Sequence, residues 1–231
     1  ITCRDWSSDV CSSDLVSVDA SGLDYSQVKR KSRTAADRLS KGVQYLIKKN
    51  GITYIEGTGS ISGPNALSLK DGPEITARNI IIAAGSRPKE IPGFPFDHEI
   101  IVDSTDALLF ENLPEKLLIL GAGVIGMEFA YIASAFGCKV TVVEMLSRAL
   151  PNEEPEVSDT VLKAFKKRGI TVHTQTKALS GRKVPGGIEL EIETPSGGRE
   201  VLEAGRLLVA VGRTPNTEGL GLDKVGIALE R

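Results

Sequence analysis

Residues 116–144 constrain the fold more than any other stretch of this chain. An apolar run, Leu117-Leu118-Ile119-Leu120, leads into Gly121-Ala122-Gly123-Val124-Ile125-Gly126 and Met127-Glu128-Phe129-Ala130, and Lys139-Val140-Thr141-Val142-Val143-Glu144 follows. The pattern predicts a strand, a glycine turn, a helix with Ile125, Phe129, Ile132 and Phe136 on its apolar face, a second strand, and an acid at its end. Each part has a task in holding a dinucleotide. Gly121 lets the chain turn sharply off the strand, Gly123 removes a Cβ that would block a pyrophosphate, and Gly126 lets the helix pack closely on the sheet. Unpaired N–H groups at the helix start, backed by the helix dipole, favour an anion there. Glu144 is placed to accept hydrogen bonds from the adenosine ribose. It would repel a 2′-phosphate, so the pattern points to NAD(H) over NADP(H).

The chain has 231 residues, 41% hydrophobic and 25% charged. That is a globular composition, with length for one large or two ordinary domains. A net charge of −2 offers no electrostatic footprint for nucleic acid or an anionic membrane surface. The longest apolar runs, such as Ile80-Ile81-Ile82-Ala83-Ala84, fall far short of a membrane-spanning helix, and no basic-then-apolar signal segment opens the chain. An intracellular, cytoplasmic protein is expected.

Residues 1–15 hold the single tryptophan, Trp6, and two of the three cysteines, Cys3 and Cys11, without helical or strand periodicity. Residues 5–15 look like the translation of a common sequencing adapter. They are set aside from fold reasoning as a fusion scar would be, and the natural chain is expected to start near Val16 and to be cut at both ends. Cys3 and Cys11 match neither a metal knuckle nor a redox pair in spacing. Cys138, alone before a strand, reads as a small buried apolar residue. His98 and His173 sit near no candidate nucleophile and read as surface or packing residues; no metal site is expected.

Along the rest of the chain, residues 25–49 carry Leu39, Val43, Leu46 and Ile47 at helical spacing and end in Asn50-Gly51, a helix stop. The basic residues of this helix read as a solvated face, since no aromatics interleave with them. Ile52-Thr53-Tyr54-Ile55 predicts a strand, Gly57-Thr58-Gly59 a tight turn or close approach, and residues 66–77 short β segments. Residues 80–84 predict a central strand buried on both faces, leaving through Gly85-Ser86-Arg87-Pro88. Asp103-Ser104-Thr105-Asp106 can cap a short helix over residues 107–110, and Asn112-Leu113-Pro114 marks a domain boundary. Val157, Val161, Leu162 and Phe165 mark a helix closed by Gly169. Ile170-Thr171-Val172 is the next strand, and residues 182–202 an antiparallel meander. Arg206-Leu207-Leu208-Val209-Ala210-Val211-Gly212 predicts another buried strand with a glycine exit, as if two related halves shared one architectural position.

In this order, Gly57-Thr58-Gly59, Ile82-Ala83-Ala84-Gly85-Ser86-Arg87-Pro88, residues 121–128 and Val211-Gly212-Arg213-Thr214-Pro215-Asn216 resemble the flavin-dependent pyridine nucleotide disulfide oxidoreductases, and within them the dihydrolipoamide dehydrogenases. The resemblance covers residues 16–231. It implies an α/β fold with a Rossmann-type NAD domain inserted into a second, incomplete Rossmann-type FAD domain. The division is residues 16–112 as partial FAD domain, 113–213 as NAD domain, and 214–231 as the start of the return to the FAD side.

The resemblance also implies the site. Gly59, Ala84, Gly85 and Ser86 would lie along FAD, with Ala84 where many relatives have Thr. Gly121, Ala122, Gly123, Val124, Ile125, Gly126, Met127 and Glu128 would cradle NAD, Glu144 would meet its ribose, and Ala178 and Gly212 would line the same site. Glu128 would stand near the nicotinamide. By resemblance the parent oxidises dihydrolipoamide and reduces NAD, as a homodimer serving the lipoyl domains of a 2-oxoacid dehydrogenase or glycine cleavage complex. The chain itself carries no amino-terminal FAD glycine fingerprint, no Cys-x4-Cys, no later Gly-Asp for the flavin chain and no terminal catalytic His and Glu, so no catalytic residue is assigned. Alternatives are mercuric reductase or an NADH oxidase, with glutathione reductase disfavoured by Glu144, or a non-catalytic nucleotide-binding module.

Overall fold

The computed structural model describes Gly22 and residues 24–230; the adapter-like residues 1–15 lie outside the described residues. Helix α1 (Tyr25–Lys49) starts at Asp24, whose side chain accepts from the Ser26 N–H, and closes at Asn50. A small antiparallel sheet follows: β1 (Gly59–Gly63), β2 (Ala66–Leu69) and β3 (Glu74–Thr76). Then come β4 (Ser86–Pro88), β5 (Ile101–Val102), and α2 (Ser104–Ala107). Helix α2 forms a turn earlier than the sequence predicts. Asp103 is its N-cap, and Asp103 and Asp106 close a reciprocal capping box.

The dinucleotide-like segment forms β6 (Lys116–Leu120), α3 (Val124–Ala135) and β7 (Lys139–Val143). Beyond it lie α4 (Pro155–Lys167), β8 (Thr171–His173), β9 (Lys177–Val184), β10 (Gly187–Glu193), β11 (Arg199–Ala204), β12 (Arg206–Val209), β13 (Arg213–Pro215) and a 3₁₀ turn at Leu222–Val225. Five strands form a wholly parallel sheet in the order β5-β12-β6-β7-β8. This is the Rossmann-type α/β architecture. Strand β5 lies ahead of Asn112 yet joins the sheet as its edge, so the sheet draws on both sides of the expected domain division.

Alternation along the strands explains why the runs are apolar throughout. Leu117, Ile119, Val140, Val142 and Leu208 point to the face covered by α3 and α4, where Ala130, Ala133 and Phe165 meet them. Leu118, Leu120, Val143, Leu207 and Val209 point to the other face, onto Ile188, Leu190 and Ile192 of the antiparallel sheet β9-β10-β11. A strand covered on both sides cannot alternate apolar with polar. Strand β10 is covered on one side only, and its outward residues are Glu189, Glu191 and Glu193. Each fully buried Leu or Ile contributes roughly 1.5–3 kcal/mol.

Two strand expectations fail. Residues 52–55 and 80–84 form no strand, and Tyr54 and Ile81 are 70% and 91% exposed. An apolar run becomes a central strand only when neighbours satisfy its N–H and C=O groups on both edges. Among the described residues no strand pairs with either run. The same holds for packing on α1, whose Leu39, Val43 and Leu46 remain more than half exposed. The parallel between the two glycine exits takes another form: β4 and β13, which follow them, pair antiparallel, with Thr214 opposite Arg87. No helix among the described residues is long and apolar enough to cross a membrane.

Edge strand β5 is fastened through Asp97. One oxygen of its carboxylate accepts the N–H groups of Glu99, Ile100 and Ile101 at 2.8–2.9 Å, and the other meets the Lys183 ammonium of β9 at 2.5 Å. Burial alone would raise this carboxyl, but the Lys183 and backbone hydrogen bonds outweigh it and hold the pKa at about 2. A depressed carboxyl contributes stability that is complete above its unfolded value near 3.8 and is lost as pH falls through about 2. Asp97→Asn should therefore cost about 2 kcal/mol at pH 7 and nothing below pH 2. Urea unfolding of both chains between pH 2 and pH 7 checks this; a pH-independent difference would contradict it.

Candidate functional site

The carboxyl ends of the parallel strands open on a cavity of about 780 Å³. Strand β6 delivers Gly121, β7 delivers Glu144, Met145 and Leu146, and β12 delivers Ala210, Val211 and Gly212. Ligands of open α/β sheets bind at this edge. Gly121 has φ +99°, and a Cβ there would lie 2.5 Å from the Ala210 carbonyl oxygen, so the turn needs glycine on both counts. At Gly126 a Cβ would stand 2.0 Å from the Gly121 oxygen. Gly123 differs: its Cβ would meet nothing within 4 Å, while Gly123 itself faces the cavity. Its missing side chain leaves room for a ligand.

Gly123 is also the N-cap of α3, with no side-chain hydrogen bond to the helix start and no acid in the first turn. The first N–H groups are thus left to water or to an anion. Across the cavity sits Glu144, 8% exposed. Its Oε2 accepts from the Ala122 N–H and its Oε1 from the Leu146 N–H, both at 2.7 Å. Each oxygen keeps further acceptor capacity. Main-chain bonds hold the same corner: Gly121 N–H to Val143 O at 2.9 Å, Leu150 N–H to Ala122 O at 2.8 Å, and Thr176 N–H to Glu144 O at 2.9 Å.

Of the residues the sequence assigns to NAD, the cavity gathers Gly121, Gly123, Val124, Ile125, Glu144, Ala178 and Gly212. The other four lie elsewhere. Ala122 is fully buried, with its N–H on Glu144. Gly126 lies under the Gly121 carbonyl, and Met127 packs in the core beneath α3. Glu128 is exposed and borders a different depression with Tyr131 and Glu153. Pattern reading passed over Leu146, Thr176, Lys89 and Arg213, which also line the cavity. Extending the strand-end rule to β7, β8 and β12 would have reached Leu146, Thr176 and Arg213; Lys89 comes from the β4 side.

The residues assigned to FAD lie in β1 and at the start of β4. Gly59 lies half-buried in β1 beside Leu69; Ala84 and Gly85 are exposed, and Ser86 is half-buried in β4. Their polar groups tie the two glycine exits together. Asn216 donates its side-chain amide to Ala84 O and its N–H to Gly85 O, both at 3.0 Å, while Arg213 Nε donates to Ser86 Oγ at 2.7 Å. Arg87 forks onto Glu218 at 2.7 and 3.0 Å. This strap joins Ala84, Gly85 and Ser86 to the rim of the cavity, since Arg213 both bonds Ser86 and lines the cavity.

Two other features lie outside the cavity. Cys138 is buried beneath α3, and burial pushes its thiol up to about 11, far from a reactive thiolate. His98, Asp103 and Asp106 bring three ligand-type atoms within 4.8 Å of one another. Here Asp103 and Asp106 serve the capping box, and Asp106 holds His98 Nδ1 at 2.9 Å, which raises the imidazole pKa.

Known proteins resemble this chain along most of its length. The family model described as pyridine nucleotide-disulphide oxidoreductase matches residues 9–231. A dihydrolipoamide dehydrogenase of Chaetomium thermophilum is 42% identical over 214 residues, 90% of this chain and 42% of that protein. A dihydrolipoyl dehydrogenase of Mycobacterium tuberculosis is 41% identical over 212 residues, 90% of this chain and 45% of that protein. Among solved structures, LpdA of Mycobacterium tuberculosis superposes with a TM-score of 0.80 at 27% identity. The HOCl-induced flavoprotein disulfide reductase RclA of Escherichia coli does so with 0.76 at 26%; each alignment covers 90% of this chain and 47% of the other. The chain thus spans about half the length of the relatives it matches. Matched by that family model over nearly all of its residues, this chain belongs to the pyridine nucleotide-disulphide oxidoreductases.

Proposed function

We propose that the cavity at the strand ends holds NAD(H), and that the chain is the nucleotide-binding part of a dihydrolipoamide dehydrogenase. The observation that carries the reading is Gly123. Its absent Cβ leaves open space between the uncapped start of α3 and the buried carboxylate of Glu144. In this reading the N–H groups of residues 124–126 receive the pyrophosphate, and Glu144 accepts from the adenosine ribose. Ala178 and Gly212 present apolar and main-chain surface to the two ends of the dinucleotide, and Lys89 and Arg213 supply cations at the rim. NAD, when bound, supplies the hydride chemistry; the chain orients it and shields it from water. Glu128 near the nicotinamide, and Gly59, Ala84, Gly85 and Ser86 along FAD, are proposed on family resemblance. The latter could line one edge of a flavin at most.

The identities of about 40% with dihydrolipoamide and dihydrolipoyl dehydrogenases support that substrate. Lipoyl domains of a 2-oxoacid dehydrogenase complex, a homodimeric parent and a cytoplasmic site complete the proposal. A second reading, another flavin disulfide reductase such as mercuric reductase or an NADH oxidase, draws support from the likeness to RclA.

Calorimetry should find NADH bound more tightly than NADPH, and Glu144→Ala should narrow the gap while weakening both. Tighter NADPH binding by the unmodified chain would refute the assignment. The cysteines are Cys3, Cys11 and Cys138, with no Cys-x4-Cys pair. Dihydrolipoamide-dependent NADH formation by these 231 residues alone should stay at background. Turnover above background would contradict the proposal.

A further inference from the structure

Glu144 is bound by two different loops at once. Oε2 takes the Ala122 N–H from inside the glycine turn, and Oε1 takes the Leu146 N–H from the loop after β7. Burying a carboxylate is unfavourable unless hydrogen bonds replace its lost water. None of the ion pairs among the described residues includes Glu144, so these two amides carry that compensation. The glycine turn depends on the contact in return. Its other ties, Gly121 N–H to Val143 O and Leu150 N–H to Ala122 O, are main chain to main chain. The Glu144 bond is the one side-chain hydrogen bond to residues 121–123 among the described residues.

We propose that Glu144 is a positioning residue: its carboxylate clamps the glycine turn to the β7 loop and thereby fixes the direction of the α3 N–H groups that face the pyrophosphate. The inference rests on the NAD reading of the cavity and adds to it a role that does not pass through the ribose. Loss of the clamp releases Ala122, the residue between the strand exit at Gly121 and the helix N-cap at Gly123. The phosphate end of the site then loses its set geometry even for a ligand that never touches Glu144.

Chemistry separates the two roles. A ribose hydroxyl both donates and accepts, so the oxygen and NH₂ of a glutamine can still serve it. The clamp needs two acceptors, one for each N–H. Glutamine offers one and turns an NH₂ toward the other amide, leaving a buried donor facing a donor. Glu144→Gln should therefore damage the clamp more than the ribose contact.

The test uses the full 231-residue chain, unmodified and as Glu144→Gln and Glu144→Asp. Each is titrated with NADH and with its analogue carrying 2′,3′-dideoxyadenosine. Glu144→Gln should weaken both nucleotides by about the same factor, on the order of tenfold. A loss seen with NADH but absent with the dideoxy analogue would overturn the clamp and leave only a ribose contact. Hydrogen exchange on the ligand-free chains gives a readout that needs no nucleotide. Protection at Ala122 or Leu146 should fall about tenfold or more in Glu144→Gln while β6 and β10 amides keep theirs. Unchanged protection at both amides would also overturn the proposal. If the unmodified chain binds neither nucleotide, the NAD reading fails, and the exchange data still decide whether the clamp exists. Should Glu144→Gln not fold, Glu144→Asp carries the test: its two acceptors sit on a shorter arm that draws back from both amides and from the ribose, so both nucleotides should weaken, NADH by the larger factor. A loss confined to NADH would again overturn it.

Discussion

Helix α3 can begin where it does only because Gly126 lies against the carbonyl of Gly121. A single Cβ there would stand 2.0 Å from that oxygen and force the helix away from the sheet. The consequences spread in two directions. Held close, α3 sets Ala130 and Ala133 on Ile119 and Val142, closing one face of the parallel sheet. Its N-terminus also reaches the strand ends at a height where the N–H groups of its first turn open on the cavity. Packing and binding therefore share one steric condition, and neither can be changed there without the other.

The two parts of the chain differ in how fully they are satisfied. Residues 101–209 supply both covers of their own sheet, the helices α3 and α4 on one side and the meander β9-β10-β11 on the other. The residues ahead of β4 do not: Leu39, Val43, Tyr54 and Ile81 present apolar surface without a partner among the described residues. The strap β4–β13, fixed by Arg87 on Glu218 and Arg213 on Ser86, connects the two parts and brings Arg213 to the cavity rim.

Much of this was legible in the sequence, for a definite reason. Glycine spacing, an apolar run and a terminal acid are local signals, and residues 116–144 fold largely against themselves, so β6, α3, β7 and the placement of Gly123 and Glu144 followed directly. Residues 80–84 carry an equally apolar run, yet form no strand because strand formation depends on neighbours that a local pattern does not supply. Glu128 is named from its place in the motif alone; in the structure its side chain is exposed and borders the depression it shares with Tyr131 and Glu153. The ties of Glu144 to Ala122 and Leu146 were beyond pattern reading altogether, since they depend on how two loops meet in space.

The central claim is that a dinucleotide lies across the carboxyl ends of β6, β7 and β12, with its phosphates on the start of α3. Backbone amide NMR of the isotope-labelled chain during NADH titration tests it most directly. The account predicts the largest shifts at residues 123–126, 144–146 and 210–212, with β1–β3 and α1 unmoved. Shifts concentrated in β1–β3 or α1, with residues 123–126 unchanged, would contradict it.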